Sequence, residues 1–207
     1  MAKVTQEHLD ARRKQILDAA RRAFVRDGFH ATSMQDIFRE ADLSAGAVYR
    51  YFRSKDELIA AISEEAVADL AEGASGSLAV DPLPPFEEAF DGLFAMIEAY
   101  VARDDFGKVA VQVWAEAQRQ PEIQAGAGTL MATMASAIEA YLRRYQAVGA
   151  LEPSADLPAL ARFIIGACQG FVVQRTLTGH GDASELGAAM RALVRANPGP
   201  ADGNGQA

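Results

Sequence analysis

Residues 43–52 read LSAGAVYRYF, and this run decides the fold. Val48 and Phe52 are four residues apart, so on a helix both point to one side, whereas Tyr49 and Arg50 lie on the other side. Ser44 is a preferred N-cap residue, and the residues at positions 43 and 48 have the spacing of a hydrophobic staple around it. The pattern predicts a short helix that is anchored through Val48 and Phe52 and turns its opposite side outward.

Two further helices are predicted before this run. The first extends from about residue 5 to residue 26, and Gly28 follows it as a C-terminal glycine. Its apolar stripe comprises Ile16, Leu17, Ala20, Ala23 and Phe24. The second helix starts at Thr32 or Ser33, where Thr32 and Gln35 have capping-box spacing, and it ends near Ala41 before a tight turn. Together the three helices predict a helix-turn-helix unit.

The rest of the chain also reads as helical. Ser54 and Glu57 form another capping-box pattern, so a fourth helix starts there and fades into a glycine- and serine-rich run at residues 73–77. No segment shows the sustained alternation that is typical of strands. We therefore expect an all-α protein of about nine helices, with a helix-turn-helix domain at residues 1–53 that includes the start of helix 4. A second helical domain is expected at 54–196, and a disordered tail at 197–207.

Composition restricts the class of protein further. The chain has 207 residues and a net charge of -8, but residues 1–60 carry +2 and the remainder carries -10. This distribution argues against a general nucleic-acid coating protein and fits contact with DNA at one end. A single cysteine excludes an intrachain disulfide, the first residues are too polar for a signal peptide, and no apolar run approaches the length of a membrane span. We expect a cytoplasmic protein without a membrane partner.

Enzymatic patterns are missing from the sequence. His8, His30 and His180 are the only histidines, and their spacing matches no metal-binding motif. Cys168 has no partner pattern either, and it is expected to be a buried small residue. No glycine-rich phosphate loop follows a strand. The expectation is a protein that is not an enzyme, without metal or cofactor.

Two motifs resemble a known family closely. Residues 28–37 (GFHATSMQDI) and 43–58 (LSAGAVYRYFRSKDEL) are similar to the tetracycline-repressor (TetR) family, and the resemblance covers about residues 12–62. It implies that helix 4 joins the helix-turn-helix to a ligand-binding and dimerisation domain. It also implies a homodimer that represses transcription from a palindromic operator in double-stranded DNA until a small effector releases it. An activator, or a regulator controlled by a partner protein, is the alternative.

The same resemblance assigns DNA contacts. It places on phosphates the residues Thr32, Ser33, Ser44, Tyr49, Tyr51 and Lys55, and it places near bases Ala45, Gly46 and Arg50. Many relatives carry longer side chains at the positions of Ala45 and Ala47, and alanine can contact only a thymine methyl group. We therefore expect Arg50 to make much of the direct hydrogen-bond readout, to a guanine. The alternatives are that Tyr49 and Tyr51 are packing residues and that Lys55 is an ordinary solvated lysine.

A helix predicted at about residues 157–177 is apolar on nearly every side. One face is expected to meet its own domain and the other a second copy of the chain, with the next helix taking part in the interface. The predicted dimer residues are Phe163, Gly166, Gly170, Val173, Leu177, Leu186, Met190 and Leu193. The alternative is that this helix is the central core helix of a monomer.

Aromatic, methionine and a few polar residues of the second domain form a candidate effector site. They are Phe90, Phe94, Trp114, Gln118, Met131, Met134, Tyr141, Gln169, Phe171 and Arg175. Aromatic and methionine residues at helical spacing are more often filled core, and that alternative stays open for each of them. Because the second domain is acidic, we expect a hydrophobic or cationic effector.

Overall fold

The computed structural model describes residues 5–103 and 106–195, and over these residues the regular structure is entirely helical. This confirms the all-α class. The described helices are α1 (Gln6–Ala31), α2 (Met34–Ala41), α3 (Ala45–Tyr49), α4 (Lys55–Leu78), α5 (Asp91–Ala102), α6 (Phe106–Glu116), α7 (Pro121–Ala147), α8 (Leu157–Thr178) and α9 (Ala183–Arg195), with one 3-10 turn at Phe86–Glu88. The predicted tail at 197–207 lies outside the described residues.

The chain packs as two compact units. The first comprises residues up to Leu70 and residues 105–130, so it contains α1 to α3, most of α4, α6 and the first turns of α7. The second comprises residues 71–104 and the chain from Met131 onward. The division into 1–53 and 54–196 remains a prediction about function and is separate from these packing units.

Gly28 breaks α1 near its end. Its φ of 82° and ψ of 161° define a conformation that is essentially restricted to glycine. The helix therefore does not stop at residue 26, as the sequence predicted, but resumes after the break and reaches Ala31. Phe29 lies just beyond the break, is 4 % exposed, and packs edge-to-face on Phe24 with ring centroids 4.8 Å apart. This aromatic contact anchors the resumed turn.

An apolar core joins the helices of the first unit. Its large buried side chains include Ile16, Leu17, Phe24, Ile37, Val48, Phe52, Leu58 and Ile62. Complete burial of such a side chain stabilises a fold by about 1.5–3 kcal/mol. Val109 of α6 and Ile123 of α7 belong to the same core. The unit that carries the helix-turn-helix is therefore completed by residues from much later in the chain.

Helix α4 continues to Leu78, whereas the sequence predicted that it fades in a glycine- and serine-rich run. The hydroxyls of Ser75 and Ser77 donate to backbone carbonyls four residues earlier, at 2.8 and 2.9 Å, so they do not disrupt the helix. A Cβ added to Gly73 would lie 3.2 Å from the side chain of Met96, so glycine permits close packing here. Tertiary packing overrides the weak helix propensity of this run.

Two buried tyrosines of α7 hold the segment that precedes α5. Tyr141 donates from its hydroxyl to the carbonyl of Ala89 at 3.0 Å, and Tyr145 donates to the carbonyl of Pro84 at 3.0 Å. Burial raises the pKa of Tyr145 far above its ordinary value. Both hydroxyls act as donors to backbone carbonyls that lack regular secondary structure.

An ion pair holds α9 against α5. Arg191 donates to both carboxylate oxygens of Asp91, at 3.0 and 2.7 Å. Gly187 lies one turn before Arg191, and a Cβ there would be 2.5 Å from Asp91 Oδ1. Because residue 187 is glycine, the carboxylate of Asp91 has room to lie against α9.

Helix α8 is long and apolar enough to cross a membrane, with a mean hydropathy of 1.4 over an 18-residue window. The expectation that no apolar run approaches this length was therefore wrong. A core helix of a folded domain passes the same test, and α8 buries one face that includes Ile164, Cys168, Phe171 and Val172. One face of α8 therefore packs in the core of the second unit.

Candidate nucleic-acid interface

A tight turn joins α2 to α3. Asp42 adopts the left-handed conformation, with φ of 53° and ψ of 48°. Its amide donates to the carbonyl of Arg39 at 3.2 Å, and the amide of Leu43 donates to the carbonyl of Phe38 at 3.1 Å. These bonds satisfy carbonyls at the end of α2 and fix the direction in which the chain enters α3.

Helix α3 has one buried side and one exposed side. Val48 is fully buried and Phe52, just beyond the helix, is 4 % exposed, which confirms both predicted anchors. Tyr49 is 48 % exposed, and Arg50 is also exposed. An exposed arginine therefore stands directly beside the anchored side of a short helix.

Ala45 and Gly46 form the exposed first turn of α3. A Cβ added to Gly46 would meet no atom within 4 Å, so packing inside the protein does not call for a glycine there. Glycine in a helix destabilises it by about 0.5–1 kcal/mol relative to alanine. The small size of this turn leaves the α3 backbone accessible from outside.

The two tyrosines also take part in packing. The ring of Tyr49 lies edge-to-face on Phe38, with centroids 5.2 Å apart. Tyr51 is half-buried against the apolar core of the first unit. Tyr49 thus makes a packing contact while about half of its surface stays exposed. Tyr51 is more deeply buried.

Ser33 and Ser44 are exposed N-caps of α2 and α3. Ser33 Oγ accepts from the amide of Asp36 at 3.3 Å, and the Asp36 carboxylate accepts from the Ser33 amide at 3.0 Å. Hydrogen bonds from Ser33 lower the pKa of Asp36 below its ordinary value. The capping box is therefore Ser33 with Asp36, and the predicted pair Thr32 and Gln35 was wrong, because residue 32 faces the core.

The side chains of Thr32 and Lys55 close the α1–α2 junction (residues 28–33) instead of facing outward. Thr32 is 2 % exposed, and its hydroxyl donates to the carbonyl of Gly28 at 2.7 Å. Lys55 Nζ donates to the carbonyls of Phe29 and Thr32, at 2.6 and 3.1 Å. Because both side chains bind backbone groups, we leave these two residues out of the DNA-contacting set that the family resemblance implies.

Two glutamines that no sequence motif indicates complete this region. Gln112 of α6 accepts from the amide of Phe29 at 2.9 Å and donates to the carbonyl of Phe24 at 3.3 Å. Gln15 of α1 donates to the carbonyl of Ala41 at the end of α2, at 2.8 Å. Phe29 and Gln112 are 83 residues apart, so only the fold reveals their contact.

Two arginines of α1 hold the carboxylate of Glu40 on α2. Arg22 Nε and one terminal nitrogen of Arg26 donate to its two oxygens, at 2.8 and 2.9 Å. These hydrogen bonds lower the pKa of Glu40. They fasten the end of α2 to the C-terminal half of α1.

The residues of the candidate effector site divide between the two units. Trp114 and Gln118 belong to the first unit, where Trp114 is half-buried and Gln118 is exposed. The other eight belong to the second unit. There the structure buries Phe90, Phe94, Met134, Tyr141 and Phe171, and it partly buries Met131, Gln169 and Arg175.

The polar members of this set differ in their partners. Arg175 donates to the carbonyl of Gly181 at 2.6 Å and so holds the segment that follows α8. Gln169 Nε2 has Met131 Sδ as its partner, at 3.4 Å. A thioether is a weak acceptor, so Nε2 of Gln169 remains able to donate to a stronger acceptor, and its Oε1 to accept from a donor.

The predicted dimer residues of α8 share one face. Positions 163, 166, 170, 173 and 177 recur every three or four residues, so they form a single line along the helix. Phe163 is 55 % exposed and Leu177 is 71 % exposed. A Cβ on Gly166 or Gly170 would meet nothing within 4 Å. On α9, Leu193 is 60 % exposed, whereas Leu186 and Met190 are partly buried.

A capped helix, a fixed turn and a short helix with an exposed side define a helix-turn-helix DNA-binding protein. The comparisons agree with this class. Residues 16–62 match the family model described as bacterial regulatory proteins of the tetR family, and residues 90–197 match that of the C-terminal part of BetI-type transcriptional repressors. The chain belongs to the TetR family of transcription regulators, which are DNA-binding proteins and not a class of enzyme.

Individual relatives support the same assignment. The HTH-type transcriptional repressor Rv1474c of Mycobacterium tuberculosis is 31% identical over 146 residues, which cover 70% of this chain and 71% of the relative. The structure of Salmonella enterica GusR has a TM-score of 0.71 and 25% identity, covering 94% of this chain and 98% of that one. FadR of Bacillus subtilis, solved in complex with stearoyl-CoA, shares the fold with a TM-score of 0.72, 16% identity and coverage of 87% and 96%.

The role of Lys55 is testable in the free protein. Lys55→Met keeps the apolar stem and removes the ammonium that binds two partly buried carbonyls, so we expect the free energy of unfolding to fall by about 1–3 kcal/mol. Urea denaturation measures the loss. Lys14→Met, at an exposed lysine 3.7 Å from Asp18, is the control and should change stability by less than about 0.5 kcal/mol. An unchanged midpoint for Lys55→Met would return this lysine to the phosphate-binding set.

Proposed function

We propose that this chain acts in the cytoplasm as a repressor that binds a palindromic operator as a homodimer and is released by a small hydrophobic or cationic effector. The observation that carries the proposal is the exposed side of α3. There Arg50 stands beside the small residues Ala45 and Gly46, while Val48 and Phe52 anchor the opposite side. Family membership supplies the wider context of transcription regulation.

We propose a DNA-contacting set of Ser33, Ser44, Ala45, Gly46, Tyr49, Arg50 and Tyr51. The exposed first turn of α3 lets its backbone approach the floor of the major groove, since no side chain beyond a methyl group projects from it. Ser33 and Ser44 lie at helix starts, where backbone amides favour phosphate oxygens. Arginine bound to guanine O6 and N7 is the commonest specific pair, and Arg50 is the long exposed donor next to this turn.

We propose that the exposed apolar line of α8 is covered by a second copy of this chain, together with α9. Phe163 and Leu177 stand out from a helix whose other face is core, and Gly166 and Gly170 between them let another helix approach closely. Such a continuous apolar line is uncommon on a monomer surface. A two-fold dimer would place two copies of α3 on one DNA face, about 34–36 Å apart or a multiple of that distance.

We propose an effector site in the second unit around Gln169. Its amide meets a thioether, and buried Met134, Tyr141 and Phe171 belong to the same unit. The stearoyl-CoA complex of FadR supports the idea that this fold can hold an apolar chain. Residues 61–207 carry a net charge of -10, which favours a cation over an acid as the polar part of the effector.

The readout by Arg50 is tested on duplexes selected from a random library by the wild-type protein. We expect a palindromic consensus, and we expect Arg50→Ala to relax one guanine position in each half-site with a loss of about 1–3 kcal/mol there. Gel-shift titration at moderate salt measures both, with Arg143→Ala on the exposed surface of α7 as the control. Uniform weakening over all duplexes would assign Arg50 to a phosphate. A wild-type protein without preference over random competitor would exclude the proposed function.

The dimer is tested by light scattering at micromolar concentration. We expect the wild type to have twice the chain mass and Phe163→Arg to be monomeric, because a charge would be buried without a partner at the interface. Ala99→Arg places the same charge on an exposed position of α5 and should leave the dimer intact. A monomeric wild type would contradict the interface.

The effector class is tested by thermal unfolding with the lipophilic cation 4-phenylbutylammonium, whose ammonium can donate to Gln169 Oε1, and with stearoyl-CoA. We expect the lipophilic cation to raise Tm with increasing concentration, because it binds the folded state, and to weaken duplex binding by the factor that linkage requires. Gln169→Ala should reduce the shift, whereas Gln174→Ala, at an exposed position of the same helix, should not. No shift with either compound would favour control by a partner protein.

A further inference from the structure

We propose that Gln112 is a positioning residue for DNA binding, and this proposal rests on the proposed function. Its carboxamide replaces a peptide group at the break in α1 and thereby fixes where α2 and α3 lie. Gln112 belongs to α6, within the part of the chain that matches the C-terminal family model. The orientation of the helix-turn-helix is therefore set directly by a side chain from the other half of the sequence.

The break in α1 leaves a helical amide in need of an acceptor. A helix amide normally donates to the carbonyl four residues earlier, but Gly28, with its φ of 82°, interrupts that pattern just before Phe29. Gln112 Oε1 accepts from the Phe29 amide at 2.9 Å, and Gln112 Nε2 donates to the carbonyl of Phe24 at 3.3 Å. One side chain thus supplies both an acceptor and a donor, as a peptide group would.

Two other side chains bind further carbonyls at the junction. Thr32 donates from its hydroxyl to the carbonyls of Gly28 and Ala23, at 2.7 and 3.3 Å. Lys55 donates to the carbonyls of Phe29 and Thr32. Since Thr32 and Lys55 lie next to the helices that they serve, Gln112 is the member of this set that arrives from a distant part of the chain.

The position of the junction is passed on to α3. Ser33, the N-cap of α2, follows Phe29 by four residues, and Phe29 is held by its buried ring as well as by its amide. The turn after α2 is fixed by its own hydrogen bonds, so α2 and α3 form one rigid piece. A displacement of the Phe29 amide therefore moves the exposed side of α3.

The end of α6 makes a second set of contacts with the same region. Arg119, just past the helix, lies 2.8 Å from Nε2 of His30, and Glu116 lies 3.6 Å from the same atom. Gln120 donates to Asp56 near the start of α4, at 3.3 Å, and to Glu116 at 2.8 Å. Helix α6 therefore contacts this region at two places. The residues at its end bind side chains of His30 and Asp56, whereas Gln112 binds the backbone of α1.

The decisive variant is Gln112→Met, which keeps the length and volume of the side chain but forms neither hydrogen bond. We expect the Phe29 amide to exchange with solvent at least about tenfold faster in NMR measurements, while the amides of Ile16 and Leu17 keep their wild-type rates. Affinity for the duplex selected by the wild type should fall about fivefold to tenfold, with the oligomeric state unchanged. Gln124→Ala, at an exposed glutamine of the same unit, is the control.

A second variant, Gln112→Glu, keeps the acceptor and loses the donor. We expect it to restore slow exchange of the Phe29 amide, while its duplex affinity lies between those of the wild type and Gln112→Met. Wild-type affinity in Gln112→Met, or lost affinity in Gln112→Met without faster Phe29 exchange, would overturn the proposal, as would a Gln112→Glu affinity no higher than that of Gln112→Met. The exchange measurement needs no DNA, so a failure of the proposed DNA-binding function is recognised separately by the wild-type titration.

Discussion

Backbone groups released by the break at Gly28 have to be satisfied inside the protein, and the positions of α2 and α3 depend on how this is done. Buried amides and carbonyls without partners are strongly unfavourable. Side chains from three places supply the partners: Thr32 from the junction itself, Lys55 from α4 and Gln112 from α6. A bend that requires glycine thus leaves backbone groups in need of partners, and side chains from different parts of the sequence bind them. The geometry of the resulting junction determines where α2 and α3 lie.

The same physical reasoning distinguishes the possible roles of α8. Its composition suits a membrane span, a buried core helix or a dimer helix equally well, because all three require apolar residues on most sides. The burial of individual α8 residues distinguishes these three roles. The face with Ile164 and Phe171 packs inside the second unit, whereas Phe163 and Leu177 project outward in line with two glycines. A face that is apolar, exposed and free of bulk at its centre is suited to the close approach of another helix.

Features encoded within a few residues could be predicted from the sequence, and features that join distant segments could not. The anchors Val48 and Phe52 and the Ser44 cap follow from helical spacing and local capping rules, and the structure has them where they were expected. The capping box before α2 was misplaced by one residue, because burial of residue 32 in the core decides which hydroxyl is free to cap. Gln112 carries no local signal at all, since its partners lie 83 and 88 residues away. The buried anchors and the exposed side of α3 were therefore easier to predict than the polar contacts that hold the helix in place.

These contacts change what the exposed surface can use to recognise DNA. Once Thr32 and Lys55 are bound to backbone carbonyls, the long hydrogen-bonding side chain beside the first turn of α3 is Arg50, and the turn itself carries only small groups. The caps Ser33 and Ser44 already accept from their own helices. The first turn of α3 carries only small groups, so it cannot compensate for a misplaced helix by extending flexible side chains. In the proposed function, affinity depends on where α3 lies, and the junction behind α3 therefore contributes to recognition together with Arg50 in front of it.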